Sequence, residues 1–130
     1  MFRVLEIQVQ TGATKVMVSG LHFPNGIQKH PDGESLLIAE TSMFRIRRYY
    51  FTGPQKGQLN FFVNNLPGLP DNIRLSSTSN DCFYIAICSI RSDEKPSMVD
   101  KLNAWPKLRR FLTAFVPKHL MYIAGILYPF

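Results

Sequence analysis

The sequence has few cysteines, and this scarcity limits what can stabilise the fold. Only Cys82 and Cys88 occur in 130 residues, both in one apolar run. If that run is a single strand, their Cα atoms are roughly 20 Å apart, whereas a disulfide needs them within about 7 Å. We therefore expect no bridge between them. We interpret both as small core residues on the same face of the strand.

Long apolar runs are also missing. The most apolar segment runs from Leu120 to Phe130, which is well short of the roughly 20 residues that span a bilayer. The N-terminus, MFRVLEIQVQTG, lacks the basic, continuously apolar and small-residue regions of a signal peptide. The chain as written is therefore expected to carry neither an export signal nor a membrane anchor.

Acidic residues are outnumbered, with 9 Asp and Glu against 15 Lys and Arg and a net charge of +6. The basic residues are dispersed rather than gathered in a tail, and no RNA-binding aromatic motif or zinc finger accompanies them. We predict a mildly basic, solvated surface and no nucleic-acid binding. Glycine-rich phosphate loops, nucleophile elbows of the Gly-x-Ser-x-Gly type and zinc-ligand clusters are absent as well.

What the sequence does contain is a repeat. LHFPNGIQKHPDGESLLIAE (residues 21–40) and PGLPDNIRLSSTSNDCFYIAI (residues 67–87) share the order apolar, Pro, Asn or Asp, any residue, Ile. Pro24 recurs as Pro70, 46 positions later, and Asn25 as Asp71. A period of about 40 to 50 residues is typical of propeller blades.

The stretches around these motifs read as strands. Residues 4–9 and 16–18 form one predicted hairpin, and residues 44–51 and 59–63 form another. Further strands are predicted at 35–39 and 82–90, whereas the motifs themselves are placed in proline-containing loops. About four strands per repeat is the content of a propeller blade. The predicted fold is therefore all-β, with about two four-stranded antiparallel blades over residues 1–95.

After Pro96 the pattern changes to helical spacing. Apolar side chains recur every three or four positions, at Met98, Leu102, Trp105, Leu108, Leu112 and Phe115. We predict a helical insertion over residues 96–119 made of two short helices, the second with Pro106 in its first turn and ended or kinked by Pro117. Residues 120–130 are predicted to start a further strand. The basic amphipathic face could lie on a membrane or cap a tunnel mouth, and packing against the propeller with a lid role is the preferred interpretation.

Two blades cannot close into a ring, because closed propellers have about four to eight. The sequence is therefore expected to be a piece of a larger domain. Open sheet edges and uncovered blade faces predict aggregation or self-association of this piece.

The sequence resembles the strictosidine synthase-like family over nearly its whole length. The resemblance rests on GLHFPNGIQ, IAETSMFRIRRYYFTGPQKG, and NNLPGLPDNIR followed later by SIR. It implies a six-bladed β-propeller related in fold to paraoxonases and gluconolactonases, of which this chain supplies the middle. It also implies membrane association, at endomembranes such as the endoplasmic reticulum or at the cell surface, through an N-terminal anchor that this chain lacks.

The same resemblance implies a metal site. In calcium-dependent relatives, Asn and Asp side chains from successive blades converge on a Ca²⁺ ion at the tunnel mouth, and Asn25, Asp71 and Asn72 match such positions. Hard oxygen donors of this kind suit calcium. The implied activity is arylesterase-like hydrolysis of small esters or lactones, with this piece nearly inactive by itself. The ordinary alternative is that Pro-Asn-Gly and Pro-Asp-Asn are turn tripeptides.

No catalytic residue can be assigned from the sequence. His22 could act as a base but is better interpreted as a hydrogen-bonded loop or core histidine, and Glu40 as a solvated or ion-paired residue. Two other functions stay open: an amine–aldehyde condensation of the strictosidine synthase type, whose glutamate would lie in a later blade, and a non-catalytic, membrane-associated binding propeller.

Overall fold

The computed structural model describes residues 2–92, 94–96 and 98–115. These residues form eight strands, one short 3₁₀ turn and two helices. The strands are β1 (Phe2–Ile7), β2 (Thr14–Leu21), β3 (Pro24–Lys29), β4 (Ser35–Glu40), β5 (Arg45–Tyr50), β6 (Leu59–Val63), β7 (Gly68–Leu75) and β8 (Phe83–Ile90). The helices are α1 (Met98–Asn103) and α2 (Pro106–Phe115).

The strands form three antiparallel sheets in the order β1-β2, β3-β4-β5-β6 and β7-β8. A complete four-stranded blade thus lies between two two-stranded sheets. The predicted all-β, partial-propeller fold is confirmed. The eight strands divide two, four and two rather than into two whole blades.

The burial of both faces of β4 explains why its sequence, SLLIAE, does not alternate between apolar and polar residues. Leu37 and Ala39 belong to a buried cluster with Ile73 of β7, and Ile38 belongs to a second cluster with Val4 of β1. Successive side chains of a strand point to opposite faces, so this strand is covered by a neighbouring sheet on each side. Packing between adjacent sheets therefore supplies the core.

Several connections between strands lie at one edge of the sheets, which we call the motif rim. Here Pro24 pairs with Glu40, Glu40 with Arg45, and Gly68 with Ile90. The starts of β3, β5 and β7 and the ends of β4, β6 and β8 consequently lie together. The helical segment follows β8 and so leaves from this same rim.

The turn between β3 and β4, at the opposite edge, is built around Asp32. Its Oδ1 accepts hydrogen bonds from the N–H groups of Glu34 (2.9 Å) and Ser35 (3.1 Å), and its Oδ2 accepts one from Arg48 of β5. Desolvation acts to raise the pKa of Asp32, but these hydrogen bonds outweigh it and hold the pKa well below its usual value. The ionised carboxylate thus ties the turn to the neighbouring strand.

The two predicted helices are confirmed, and α2 begins at Pro106 as the sequence indicated. Pro117 and the strand predicted over residues 120–130 lie outside the described residues. Within the described ranges, neither helix is long and apolar enough to cross a membrane.

Two predictions about local structure are wrong. The Asn25 and Asp71 motifs lie in strands β3 and β7, not in loops, because each finds a partner strand after its proline. Cys82 and Cys88 are free and exposed instead of buried. In β8 the half-buried side chains are those of Phe83, Ile85 and Ile87, so Cys88 falls on the opposite, exposed face.

Candidate functional site

The two repeated motifs adopt the same irregular strand geometry. In β3, Asn25 and Gly26 stand between the paired residues Pro24 and Ile27, whereas only Ala39 stands opposite them in β4. In β7, Asp71 and Asn72 likewise stand between Pro70 and Ile73, opposite Ala86 alone. Each motif is therefore a one-residue β-bulge, a feature that re-aims side chains and is common beside active sites.

The bulges of the two sheets are in contact. A Cβ atom built on Gly26 would lie 2.5 Å from the carbonyl oxygen of Asp71 and 2.7 Å from the Cα atom of Asn72. Real Cβ atoms essentially never approach backbone so closely. Glycine at position 26 thus allows the inner strands β3 and β7 to meet at the point where both bulge.

Among the described residues, the side chains of Asn25, Asp71 and Asn72 take part in no hydrogen bond or ion pair. Asn25 and Asn72 are exposed and Asp71 is half-buried. Amide and carboxylate oxygens that are not bound to the protein remain available to a hard cation, so these residue types fit calcium.

Calcium takes six to eight oxygen ligands, and three side chains cannot enclose it. The described residues contain no group of three or more His, Cys, Asp or Glu side chains placed to hold a metal ion. The bulges therefore constitute at most part of a coordination shell. Whether they bind a metal is untested, and the ligand assignment stays a prediction.

The turn-tripeptide alternative does not describe these motifs. Pro-Asn-Gly and Pro-Asp-Asn lie within strands, and positive φ angles occur outside both tripeptides. The preceding residue, Phe23, has a φ of 49°, a left-handed conformation that is unusual for a large side chain before proline. Such a conformation persists only when the surroundings hold it.

The segment Glu40–Ser42 provides that hold. The N–H of His22 donates to Glu40 Oε1 at 2.6 Å, the N–H of Thr41 donates to the Phe23 carbonyl at 3.2 Å, and the Ser42 hydroxyl donates to the His22 carbonyl at 3.1 Å. All three residues of the segment are buried. The loop that enters the first bulge is therefore fixed by three consecutive residues.

Thr41 also connects the two motifs. Its hydroxyl donates to the carbonyl of Pro70 at 2.6 Å in a buried environment. A second link runs from the Leu75 N–H to Gln28 Oε1 at 3.2 Å, further along the same pair of strands. These positioning residues were not identified from the sequence, where ETS was only part of a longer match. The signal available was a run of small hydroxyl side chains directly after an apolar strand.

Glu40 is fully buried and ion-paired, which confirms one of the two interpretations and excludes the solvated one. Its Oε2 accepts from Arg45 Nε and lies 3.9 Å from Arg47. Desolvation by burial, together with the nearby charge of Arg45, lowers the pKa of Arg47, and the charge of Glu40 opposes this effect. His22 contributes to the cluster through its backbone.

A second polar cluster surrounds Arg91, the residue after β8. The guanidinium donates to Asn65 Oδ1 (2.6 Å), to Asp100 Oδ1 (2.9 Å) and to the Leu66 carbonyl (3.3 Å). An open cavity of about 530 Å³ lies beside it, lined by the β6–β7 connection, Arg91 and α1. The cluster attaches the helical segment to the motif rim.

Comparisons with known proteins give a consistent result. A family profile described as strictosidine synthase matches residues 2–54. Adipocyte plasma membrane-associated protein from Danio rerio is 41% identical, over 93% of this chain and 31% of its own length. The protein of that name from Gallus gallus is 44% identical, over 85% of this chain and 26% of its own. Strictosidine synthase-like 13 from Arabidopsis thaliana is 35% identical, over 79% of this chain and 24% of its own. The chain thus spans less than a third of the length of these relatives.

Proposed function

Because the chain belongs to the strictosidine synthase-like family, we propose that Asn25, Asp71 and Asn72 form part of a Ca²⁺ site with which the complete propeller hydrolyses small esters or lactones. The observation that carries the proposal is the pair of matching bulges in contact at Gly26. Among the described residues, the side-chain oxygens of both bulges take part in no hydrogen bond or ion pair.

The proposed hydrolysis requires one main contribution from the Ca²⁺ site. A bound Ca²⁺ supplies electrostatic stabilisation of the negative charge that develops on an ester carbonyl oxygen. Asn25, Asp71 and Asn72 would hold the ion, and Glu40, Thr41 and Ser42 would position the bulges. Three side chains leave most of the shell to other blades, so this chain alone should have almost no hydrolase activity.

The names of the relatives also bear on the location of the complete protein. Two of the relatives are named as plasma membrane-associated proteins. We propose that the complete protein of which this chain is a part also works at a membrane, whether endomembrane or cell surface, through an anchor that precedes these residues.

The metal part of the proposal can be tested on this chain by calorimetric titration with Ca²⁺. We expect weak binding, with a Kd of roughly 10⁻³ M or above because the shell is partial. Asp71→Asn should weaken it at least about tenfold, since loss of even an outer-shell partner costs about 10- to 100-fold. Asn64→Ala is the matched control, because Asn64 is an exposed amide on the same rim outside the bulges. Equal binding by all three proteins would contradict the ligand assignment.

The activity part requires a complete relative. Phenyl acetate hydrolysis by adipocyte plasma membrane-associated protein should disappear in excess chelator and return with Ca²⁺. Chelator-insensitive hydrolysis would exclude the metal mechanism. Absence of hydrolysis together with condensation of an amine and an aldehyde would favour the synthase reaction instead. Unchanged Ca²⁺ affinity and activity after alanine replacement of the residues equivalent to Asn25 and Asp71 would leave only a binding role.

A further inference from the structure

Helix α2 carries an apolar surface that nothing covers in the described part of the chain. Leu108, Phe111, Leu112 and Phe115 recur at helical spacing and form one face, which we call the α2 face. Leu108 is 46% exposed, Phe111 58% and Phe115 72%. Trp105, just before the helix, is 68% exposed. Phe111 and Phe115 contact each other, with ring centroids 4.7 Å apart.

The two helices differ in how they are held. Helix α1 is attached to the rim by the Arg91–Asp100 ion pair at 2.9 Å, and its Leu102 is buried. Helix α2 packs chiefly against α1. Among the described residues, the α2 face therefore belongs to a helix whose main contacts are with α1, and α1 is the helix that is attached to the motif rim. The predicted packing of the insertion against the propeller is seen for α1, and its predicted lid role stays a prediction.

The charge of α2 indicates what would cover this face. Its sequence, PKLRRFLTAF, contains three basic residues and no acidic one, and Lys107 and Arg110 are exposed. A second copy of the chain would bring one basic helix against another, on a protein of net charge +6. An interfacial helix with an apolar face, basic flanks and an adjacent tryptophan is instead complementary to an anionic lipid surface.

We propose that α2 docks this chain on anionic lipid bilayers, with Phe111, Phe115 and Trp105 entering the headgroup region and Lys107 facing lipid phosphates. The motif rim, from which the helices leave, is thereby directed toward the bilayer. This surface is independent of the proposed Ca²⁺ site, so the experiments are done in EDTA.

The first test is vesicle flotation of the full 130-residue chain, because bound protein rises with vesicles and aggregates sink. We expect flotation with vesicles of phosphatidylcholine containing about a quarter phosphatidylserine, little with phosphatidylcholine alone, and release at high salt. The double variant Phe111→Gln, Phe115→Gln should bind at least about tenfold more weakly. The matched control is Ile7→Gln, Val9→Gln, which replaces two exposed apolar residues on the β1–β2 hairpin.

The charge contribution is tested in the same assay. Lys107→Gln should weaken binding about fivefold, the equivalent of about 1 kcal/mol for one charge near the surface. Lys15→Gln is the matched control, because it removes the same charge from an exposed position on β2. A loss of equal size in this control would show that binding is non-specific electrostatic attraction, and it would overturn the proposal that α2 is the docking surface.

The second test uses Trp105, the single tryptophan of the chain. Its emission should shift to shorter wavelength with anionic vesicles, and brominated lipids should quench it. Emission that is already at short wavelength and indifferent to vesicles would mean that the helix packs on its own chain as a lid. Loss of self-association in Phe111→Gln, Phe115→Gln without any loss of flotation would mean that a second copy covers the face. Either result would overturn the proposal.

Discussion

The guanidinium carbon of Arg91 lies 3.8 Å from the ring centroid of Phe44. Phe44 directly precedes β5 of the complete blade, whereas Arg91 directly follows β8 of the next sheet, so this cation–π contact joins two sheets at the motif rim. The same guanidinium also binds Asp100 of α1. One side chain therefore couples the position of the helices to the position of the rim.

We expect Arg91→Ala to release α1 from the rim. The variant loses the contact with Phe44 and three side-chain hydrogen bonds. These are partly exposed interactions, which suggests a cost of roughly 1–3 kcal/mol. Hydrogen exchange of the α1 amides should accelerate, while exchange in β4 stays unchanged. Arg74→Ala serves as control, since among the described residues the Arg74 side chain donates only to the carbonyl of its own neighbour Ile73. Unaltered α1 protection in Arg91→Ala would show that other contacts hold the helix.

Gly26→Ala should separate the two bulges. The added methyl group would meet the backbone at Asp71 and Asn72, which cannot move aside as a flexible side chain can. Overpacking of this kind typically costs about 1–3 kcal/mol. A urea-unfolding midpoint measures the loss, and the Ca²⁺ titration should weaken with it. Gly12→Asn is the control, because Gly12 has open space around it and a φ of 70°, which asparagine tolerates.

Removal of the Glu40 carboxylate should be among the single changes that lower the stability of the folded chain most. Glu40→Ala leaves Arg45 and Arg47 without their buried partner, and such uncompensated charges typically cost about 3–5 kcal/mol. Since whole domains are stable by only about 5–15 kcal/mol, the yield of soluble protein is the first measurement. Glu40→Gln should be milder because its amide oxygen can still accept from the His22 N–H. Glu6→Ala, on an exposed position of β1, should change stability by less than about 0.5 kcal/mol. Comparable yields of Glu40→Ala and Glu6→Ala would count against a structural role for the ion pair between Glu40 and Arg45.

Stability should depend on pH through Asp32. Its pKa is lowered in the folded state, so the stabilisation is fully present above the unfolded pKa of about 3.9 and is lost as the pH falls through the lower folded value. Asp32→Asn should therefore unfold at lower urea than the parent at pH 7, and the gap should narrow as the pH falls below about 4. Asp81→Asn, in the exposed β7–β8 connection, provides the comparison. A gap that is constant between pH 7 and pH 3 would exclude ionisation of Asp32 as its source.

Self-association should proceed through β8. Among the described strands it pairs only with β7, which leaves the other edge of an eight-residue strand without charge or proline unpaired. Edges of this kind pair readily with other chains. A lysine at the centre of the strand, Ala86→Lys, should reduce concentration-dependent association measured by analytical ultracentrifugation. Asn60→Lys on the shorter edge strand β6 should have little effect, and an equal reduction there would assign association to edges in general.

Local patterns were enough to predict most of the strands and both helices. The β1–β2 and β5–β6 hairpins follow from alternation and turn residues, and α2 from its apolar spacing and Pro106. These signals depend on neighbours within a few residues, so they survive in a single sequence. The repeat further predicted that Asn25 and Asp71 occupy equivalent places, and the matching bulges confirm this equivalence.

The motifs were misplaced in loops because a β-bulge carries the same Pro, Asn and Gly residues as a turn, and only a partner strand distinguishes the two. The exposure of Cys82 and Cys88 could not be predicted either, since apolar character does not say which face of a strand is covered. The burial of Glu40 could not be predicted from the sequence, because its partners Arg45 and the His22 N–H surround it only in the folded chain.

The sequence by itself determined most of the elements, the repeat and the family, because each depends on local spacing or on residue identities along the chain. Only the tertiary structure decided which of those residues meet: Gly26 against Asp71, Thr41 against Pro70, and Arg91 against Phe44. Each of these contacts joins residues that are more than 25 positions apart. Such contacts depend on how neighbouring sheets pack, and that packing has no counterpart in any local pattern of the chain.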